Sequence, residues 1–268
     1  MVALTWGTSG SRYYETGVDR GVLYLPNVAG VAWPGLISVK ENVSGGDTRS
    51  YYIDGFKYLN IKSAEEFGAS IEAFSSPREF DVCDGSKALA PGLFATQQVR
   101  KSFGFSYRTL MGNDVEGQDA GYKIHLVYNA LASAPSVTYK TLDKSGTPGT
   151  ISWDISTKAL SITMARPTAH FIINSVEVPE ERLDYLEKIL YGSIYTDPRL
   201  PSIKELVEII NGVFGYKLEK SEIMNFFVAY PNVDLGNTSI NSSNIPGIYT
   251  VPSYTNLKPV TEGIWKLE

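Results

Sequence analysis

At 268 residues, 43% of them hydrophobic, the chain is long enough to bury a substantial core in one or two domains. A formal net charge of -5, with lysines and arginines scattered among the acids, argues against a nucleic-acid binder that grips phosphates through a basic patch. A single cysteine, Cys83, excludes an intramolecular disulfide framework and suits a reducing cytoplasm; no apolar run approaches the roughly 20 residues of a membrane span, and no signal core is visible.

Aromatic residues make up 12% of the chain, including 17 tyrosines, and favour strands, because flat rings pack well on a pleated surface. Residues 20–39 read as a hairpin turning at Pro26-Asn27 and Gly30. Residues 41–48, ENVSGGDT, carry paired glycines and are expected as a projecting polar loop. Tyr51, Tyr52 and Ile53 are joined to the run from Phe56 to Leu59 by Asp54-Gly55, which suits the two positive φ angles of a type I′ turn. Phe67, Ala69, Ile71 and Ala73 then alternate with Ser70, Glu72 and Phe74 in a strand that Pro77 closes. Residues 75–102 read as an irregular connection with one short helix.

Residues 103–132 are the centre of the pattern. Phe103, Phe105 and Tyr107 share one face of a first run; Tyr122, Ile124, Leu126 and Tyr128 alternate with Lys123, His125, Val127 and Asn129 in a second. The ribbon is expected to bury one side and offer the other to water or to a neighbouring subunit, with residues 112–120 as its flexible connection. Ile151, Trp153 and Ile155, then Leu160, Ile162 and Met164, predict two strands turning at Lys158-Ala159, and Ala169, Phe171 and Ile173 one more. The period then changes. Leu183, Leu186, Ile189 and Leu190 lie at helical spacing between Pro179 and Gly192, and Ser202 is the expected N-cap of a second helix carrying Ile203, Leu206, Val207 and Ile210. A helix over residues 219–227 and an extended tail over 245–257 complete the expectations.

Motifs for chemistry are weak. Gly7-Thr8-Ser9-Gly10 lacks the spacing of a nucleophile elbow, and the glycines at 112 and 117 are followed by Gln118-Asp119 where a phosphate loop needs Lys-Ser/Thr. His125 and His170, the only histidines, fall on separate predicted strands with no nearby cysteine or carboxylate motif, which points to structural or surface roles, with no metal and no cofactor. Asp81, Asp84, Asp114, Glu116 and Asp119 do not follow the oxygen-ligand spacing of a calcium loop. No catalytic residue is indicated, and the chain reads as a non-enzyme.

The strings GVDRGVLYLP, WPGLISVKE, YYIDGFKYL, GNDVEGQDAGYKIHLVYNALA and LYGSIYTDPRLPS, within residues 5–202, resemble the major tail (tail tube) proteins of long-tailed non-contractile bacteriophages. The resemblance implies a β-rich α+β fold, an antiparallel β-sandwich or barrel of the tail tube type with flanking helices. Residues 1–202 would form the tube domain, including its first flanking helix. Residues 203–268 would be a helical, then extended, C-terminal extension packed on the tube exterior or adding contacts between rings. It further implies a virion protein assembled in the bacterial host cytoplasm: hexameric rings of identical copies stacked into a tube, other tail proteins at its ends, and DNA passing through the lumen without sequence-specific binding.

On that reading Ser70 and Glu72 are candidates for the lumen wall, since an acidic or neutral surface lets DNA slide. Asn42, Ser44, Asp47, Asp114, Glu116 and Asp119 are candidates for loops that reach the next ring, and Asp19 and Arg20 for an ion pair within or between subunits. The alternative is a carbohydrate- or receptor-binding β-sandwich, with Trp33 and Trp153 as stacking surfaces.

Overall fold

Period-2 alternation builds most of the chain, as the sequence pattern requires. The computed structural model describes residues 6–139, 141, 148–162, 165–194 and 196–212, together with the backbone of five short strands at 217–219, 241–242, 248–250, 257–261 and 264–267. In chain order the elements are β1 (Tyr14–Tyr24), β2 (Val31–Ala32), β3 (Leu36–Gly45), β4 (Thr48–Ile53), β5 (Phe56–Lys62), β6 (Glu65–Ala73) and the one-turn helix α1 (Asp81–Asp84). They continue with β7 (Lys87–Ala90), β8 (Leu93–Ala95), β9 (Phe103–Asn113), β10 (Gly117–Ala132), β11 (Ser136–Val137), β12 (Ile151–Thr157), β13 (Leu160–Ile162), β14 (Ala165–Thr168) and β15 (His170–Asn174). Helices α2 (Glu180–Tyr191) and α3 (Ile203–Asn211) follow.

The main sheet is antiparallel throughout, in the order β2-β1-β9-β10-β12-β6-β3, with β11 on β12 and β15 on β10. It folds over on itself, so that Leu23, Phe103, Phe105 and Tyr107 from one end meet Ile71, Trp153 and Ile155 from the other in a single inner core. Trp33, Phe80 and Trp153 fill its centre, with ring centroids 4.7 to 5.7 Å apart. Cys83 lies beside them, and burial pushes its thiol up to about 12, so it is inert at neutral pH.

The other face of β1, β10 and β15 is covered as well. Val22, Tyr24, Ile124, Leu126, Tyr128 and Ile173 pack against Leu183, Leu186, Leu190, Leu206 and Ile209 of α2 and α3. The central ribbon is therefore buried on both sides within the chain, where one face was expected to be offered to water or to a neighbouring subunit. The tyrosines complete the attachment: Tyr24 Oη donates to the Leu190 carbonyl at 2.9 Å and Tyr128 Oη to that of Pro201 at 2.8 Å. The Ser202 hydroxyl accepts from the Glu205 amide at 3.2 Å, the expected N-cap. Ser202→Ala should cost about 1 kcal/mol of stability, read as a lower urea midpoint at unchanged slope.

Two bulges at residues with positive φ, Arg20 (47°) and Asn129 (49°), reset the alternation. At Asn129, β10 exchanges β15 for β12 as its partner, and the inward set shifts from Val127 to Ala130 and Ala132. A strict period of two through Asn129 misses this.

Several expected connections differ. Residues 41–48 are not a loop: β3 runs on to Gly45, with Asn42 opposite Gly68 and Ser44 opposite Glu66, because β6 offers a continuous ladder of backbone partners. The paired glycines, at φ 82° and 78°, turn the chain out into β4. Residues 112–120 are likewise strand on either side of a tight turn, in which the Asn113 side chain accepts from the amides of Val115 and Glu116. The hairpin at 20–39 is limited to β1 and β2, since β3 departs to pair with β6. β13 pairs with β14, so Lys158-Ala159 is not a hairpin turn, and the 75–102 connection holds the β7–β8 hairpin besides its short helix. The Asp54-Gly55 turn is as expected, at φ 51° and 81°.

Beyond α3, Lys217–Glu219 and Asn241–Ser242 flank Ile248–Thr250, and Leu257–Thr261 pairs with Ile264–Leu267. Met164, residues 220–227 of the expected third helix, and residues 245–247 and 251–256 of the expected extended tail lie outside the described residues. No helix among the described residues is long and apolar enough to cross a membrane.

Candidate functional site

The helices cover only half of the sheet's outer surface. Over β3, β6 and β12 the outward residues are Ser38, Lys40, Asn42 and Ser44, then Glu66, Ser70 and Glu72, then Ser152, Asp154 and Ser156, and among the described residues no element lies on them. They are linked to one another: Asn42 Nδ2 donates to Ser70 Oγ at 3.1 Å, Ser70 to Asp154 Oδ1 at 2.5 Å and Ser38 to Glu72 Oε2 at 3.3 Å. Three carboxylates stand against one lysine, and hydroxyls fill the rest. Ser70 and Glu72 thus lie on a continuous, mildly acidic, hydroxyl-rich face and not in the monomer core. Asn42 and Ser44 share this face instead of projecting from a loop.

The same strands lead out to an exposed hairpin. Among the described residues β4 and β5 pair only with each other, and Tyr51, Tyr52, Ile53, Phe56, Tyr58, Leu59 and Ile61 are all exposed there, Phe56 by 79% and Tyr58 by 70%. Asp47 sits where β3 gives way to β4, its carbonyl accepting from the Ser63 amide. β3 itself ends the sheet, and no strand is hydrogen-bonded to its outer edge among the described residues.

Asp19 and Arg20 do not pair with each other. Asp19 takes a bidentate contact from Arg108, Nε to Oδ1 at 2.8 Å and Nη2 to Oδ2 at 2.6 Å, while Arg20 meets Glu187 of α2 at 2.9 Å. Because Arg20 is the bulged residue, the two neighbours take different partners. Lys123 pairs with Glu15, so the cations of the central ribbon are matched within the chain. Asp114 accepts from the Gly10 amide at 2.9 Å, Glu116 accepts from Asn113 at 3.0 Å, and Asp119 is exposed on β10.

A second cluster was not anticipated. His125 on β10 and His170 on β15 lie on paired strands, two residues apart in register and so on one face, and both meet Glu41 of β3. His125 Nδ1 is 3.2 Å from His170 Nε2 and 3.3 Å from Glu41 Oε1, and His170 Nε2 is 3.9 Å from the same oxygen. Tyr107 stacks on His125 at 4.5 Å and Phe67 on His170 at 4.2 Å, which holds both imidazole planes. Thr109 Oγ1 lies 3.0 Å from His125 Nε2, and Tyr107 Oη donates to Glu41 Oε1 at 2.7 Å. Burial, reinforced by His170, pushes His125 down to about 4; burial also lowers His170, so both rings are neutral at pH 7. The β10–β15 register brings the two histidines together and the folding-over of the sheet adds Glu41 from β3, and spacing along the chain carries no sign of either.

Trp33 and Trp153, candidate stacking surfaces, are 3% and 1% exposed and pack against each other. The carbohydrate reading loses both.

No family model matches the sequence, and no curated protein does. Solved structures with a similar course of chain include the sheath–tube complex of an extracellular contractile injection system in the extended state, 9% identical with a TM-score of 0.34, over 58% of this chain and 88% of that one. The sheath/tube terminator of such a system is 11% identical with a TM-score of 0.35, over 64% and 99% of the two chains. The tube-terminating cap of the anti-feeding prophage is 7% identical with a TM-score of 0.36, over 65% and 96%. Likenesses of this size assign neither function nor assembly.

Proposed function

We propose that this chain is a structural virion protein whose copies form hexameric rings, stacked into the tail tube that conducts phage DNA into the host. The observation that carries the reading is the β4–β5 hairpin: seven large apolar side chains presented to solvent on a two-stranded ribbon with no core of its own. Such a ribbon is marginal alone in water and gains stability by lying on another subunit. Its position on strands that also carry the polar face gives each a task. The hairpin and the free edge of β3 join copies, and the face over β3, β6 and β12 forms the wall.

A wall of hydroxyls and carboxylates offers phosphates no cation cluster, so DNA slides without counterion release. Ser70 and Glu72 are the wall residues, joined by Asp154 and Ser152 from β12. Contact between rings is assigned to the hairpin and its root at Asp47 and to the Asp114–Glu116 turn. Helix α3 lies toward the tube exterior, and other tail proteins close the tube ends. Electron microscopy of purified protein at rising concentration tests this: tubes or six-fold rings are expected, and a species that sediments as a monomer at every concentration would sink it.

A further inference from the structure

We propose that Glu41, His125 and His170 form a binding site for a divalent transition-metal ion, zinc by the chemistry of the donor set. Three donor atoms of types that zinc takes, two imidazole nitrogens and a carboxylate oxygen, lie 3.2, 3.3 and 3.9 Å from one another. In a tetrahedral zinc site with bonds of about 2.1 Å, adjacent ligand atoms are about 3.4 Å apart, whereas an octahedral arrangement of the same bonds draws them to about 3.0 Å. A triangle with the observed edges has a circumscribed circle of radius about 2.0 Å, so an ion slightly above its plane reaches all three atoms at bonding distance with no movement of the backbone.

The surroundings support the ligands as metal sites generally do. Thr109 Oγ1 lies against His125 Nε2, where it can accept the ring proton and leave Nδ1 free to ligate; Tyr107 Oη donates to the ligating oxygen of Glu41. Stacking by Tyr107 and Phe67 sets the two ring planes. The histidine side chains are 5% and 9% exposed, but that of Glu41 is 38% exposed, which leaves an entry path and a fourth position open to water. The competing account is a hydrogen-bonded chain from Thr109 through His125 to His170. In the tautomer with Thr109 donating to Nε2, His125 Nδ1–H donates to His170 Nε2 with Glu41 Oε1 3.3 Å away, so the two accounts use the same side chains and the zinc titration separates them.

The ion would tie β3 to β10 and β15 at the root of the strand that leads to the exposed hairpin. The inference does not depend on the tube reading. Full-length protein without a polyhistidine tag, stripped with chelator and titrated with zinc sulfate by calorimetry, should bind one equivalent and unfold at a higher temperature. Cobalt(II) should give the intense visible bands of a four-coordinate site. Glu41→Gln, at an exposed position that leaves the metal-free fold intact, and His170→Asn should each weaken zinc binding at least tenfold and abolish the thermal shift. Absence of stoichiometric zinc binding would overturn the proposal, as would equal affinity in wild type and both variants.

Discussion

Replacing Tyr52, Phe56 and Tyr58 together by serine is expected to abolish tube formation while leaving the monomer's urea midpoint unchanged. The three side chains are 65%, 79% and 70% exposed, so the folded monomer gains little from them, and surface changes of this kind usually fall within about 0.5 kcal/mol. In the assembled state the balance reverses. Fully burying an aromatic side chain contributes about 1.5–3 kcal/mol, so losing three lowers the association constant by on the order of 1000-fold even if burial is incomplete. Sedimentation and electron microscopy read the two halves separately. Tubes at wild-type yield from the triple variant would end the assignment of the hairpin to assembly. A shifted midpoint would show that the hairpin packs within its own monomer.

Trp153→Ala should destabilise the monomer by about 3–5 kcal/mol, a large part of the roughly 5–15 kcal/mol that holds a domain together. Trp153 is 1% exposed and touches both Trp33 and Phe80, so truncation opens a cavity at the point where the two ends of the sheet meet. A second variant separates volume from polarity. The indole Nε1–H of Trp153 is buried and meets no acceptor among the described residues. Trp153→Phe removes that unpaired donor, which is worth about 1–3 kcal/mol when buried, along with part of the ring. Its cost should therefore be less than half that of the alanine variant in equilibrium urea unfolding. Equal costs for the two would contradict an orphaned donor at this site, and a negligible cost for alanine would contradict the core.

Much of the fold is written locally. The alternation from Phe67 to Ala73, the run of Phe103, Phe105 and Tyr107, the Asp54-Gly55 turn, and the helix bounded by Ser202 and Gly212 each follow from side-chain period or turn chemistry within a few residues. The errors share a different origin. ENVSGGDT looks like a loop when only its composition is weighed, yet it becomes strand because β6 lies alongside to accept its backbone bonds. The mixed outer face of the central ribbon looks free for water or a neighbouring subunit until α2 and α3 cover it. The bulges at Arg20 and Asn129 invert which side faces inward, and neither residue is a glycine that would announce a break.

The candidate sites divide along the same line. Ser70 and Glu72 are readable as an outward polar pair from the strand period alone, whereas the exposure of both faces of the hairpin around Asp54-Gly55 is visible only in the structure. Asp19 and Arg20, adjacent in sequence, are separated by a bulge and taken by Arg108 and Glu187.

The sequence alone determined most of the strands, the two helices and the polar stripe along β6, because each depends on neighbours within one or two turns of chain. Tertiary structure decided which half of the sheet the helices cover, and that Glu41, His125 and His170 meet. Those outcomes depend on pairing register and on helix packing between segments far apart in the chain. Such long-range choices are settled by the total area buried and the backbone bonds satisfied, quantities that no single stretch of residues contains.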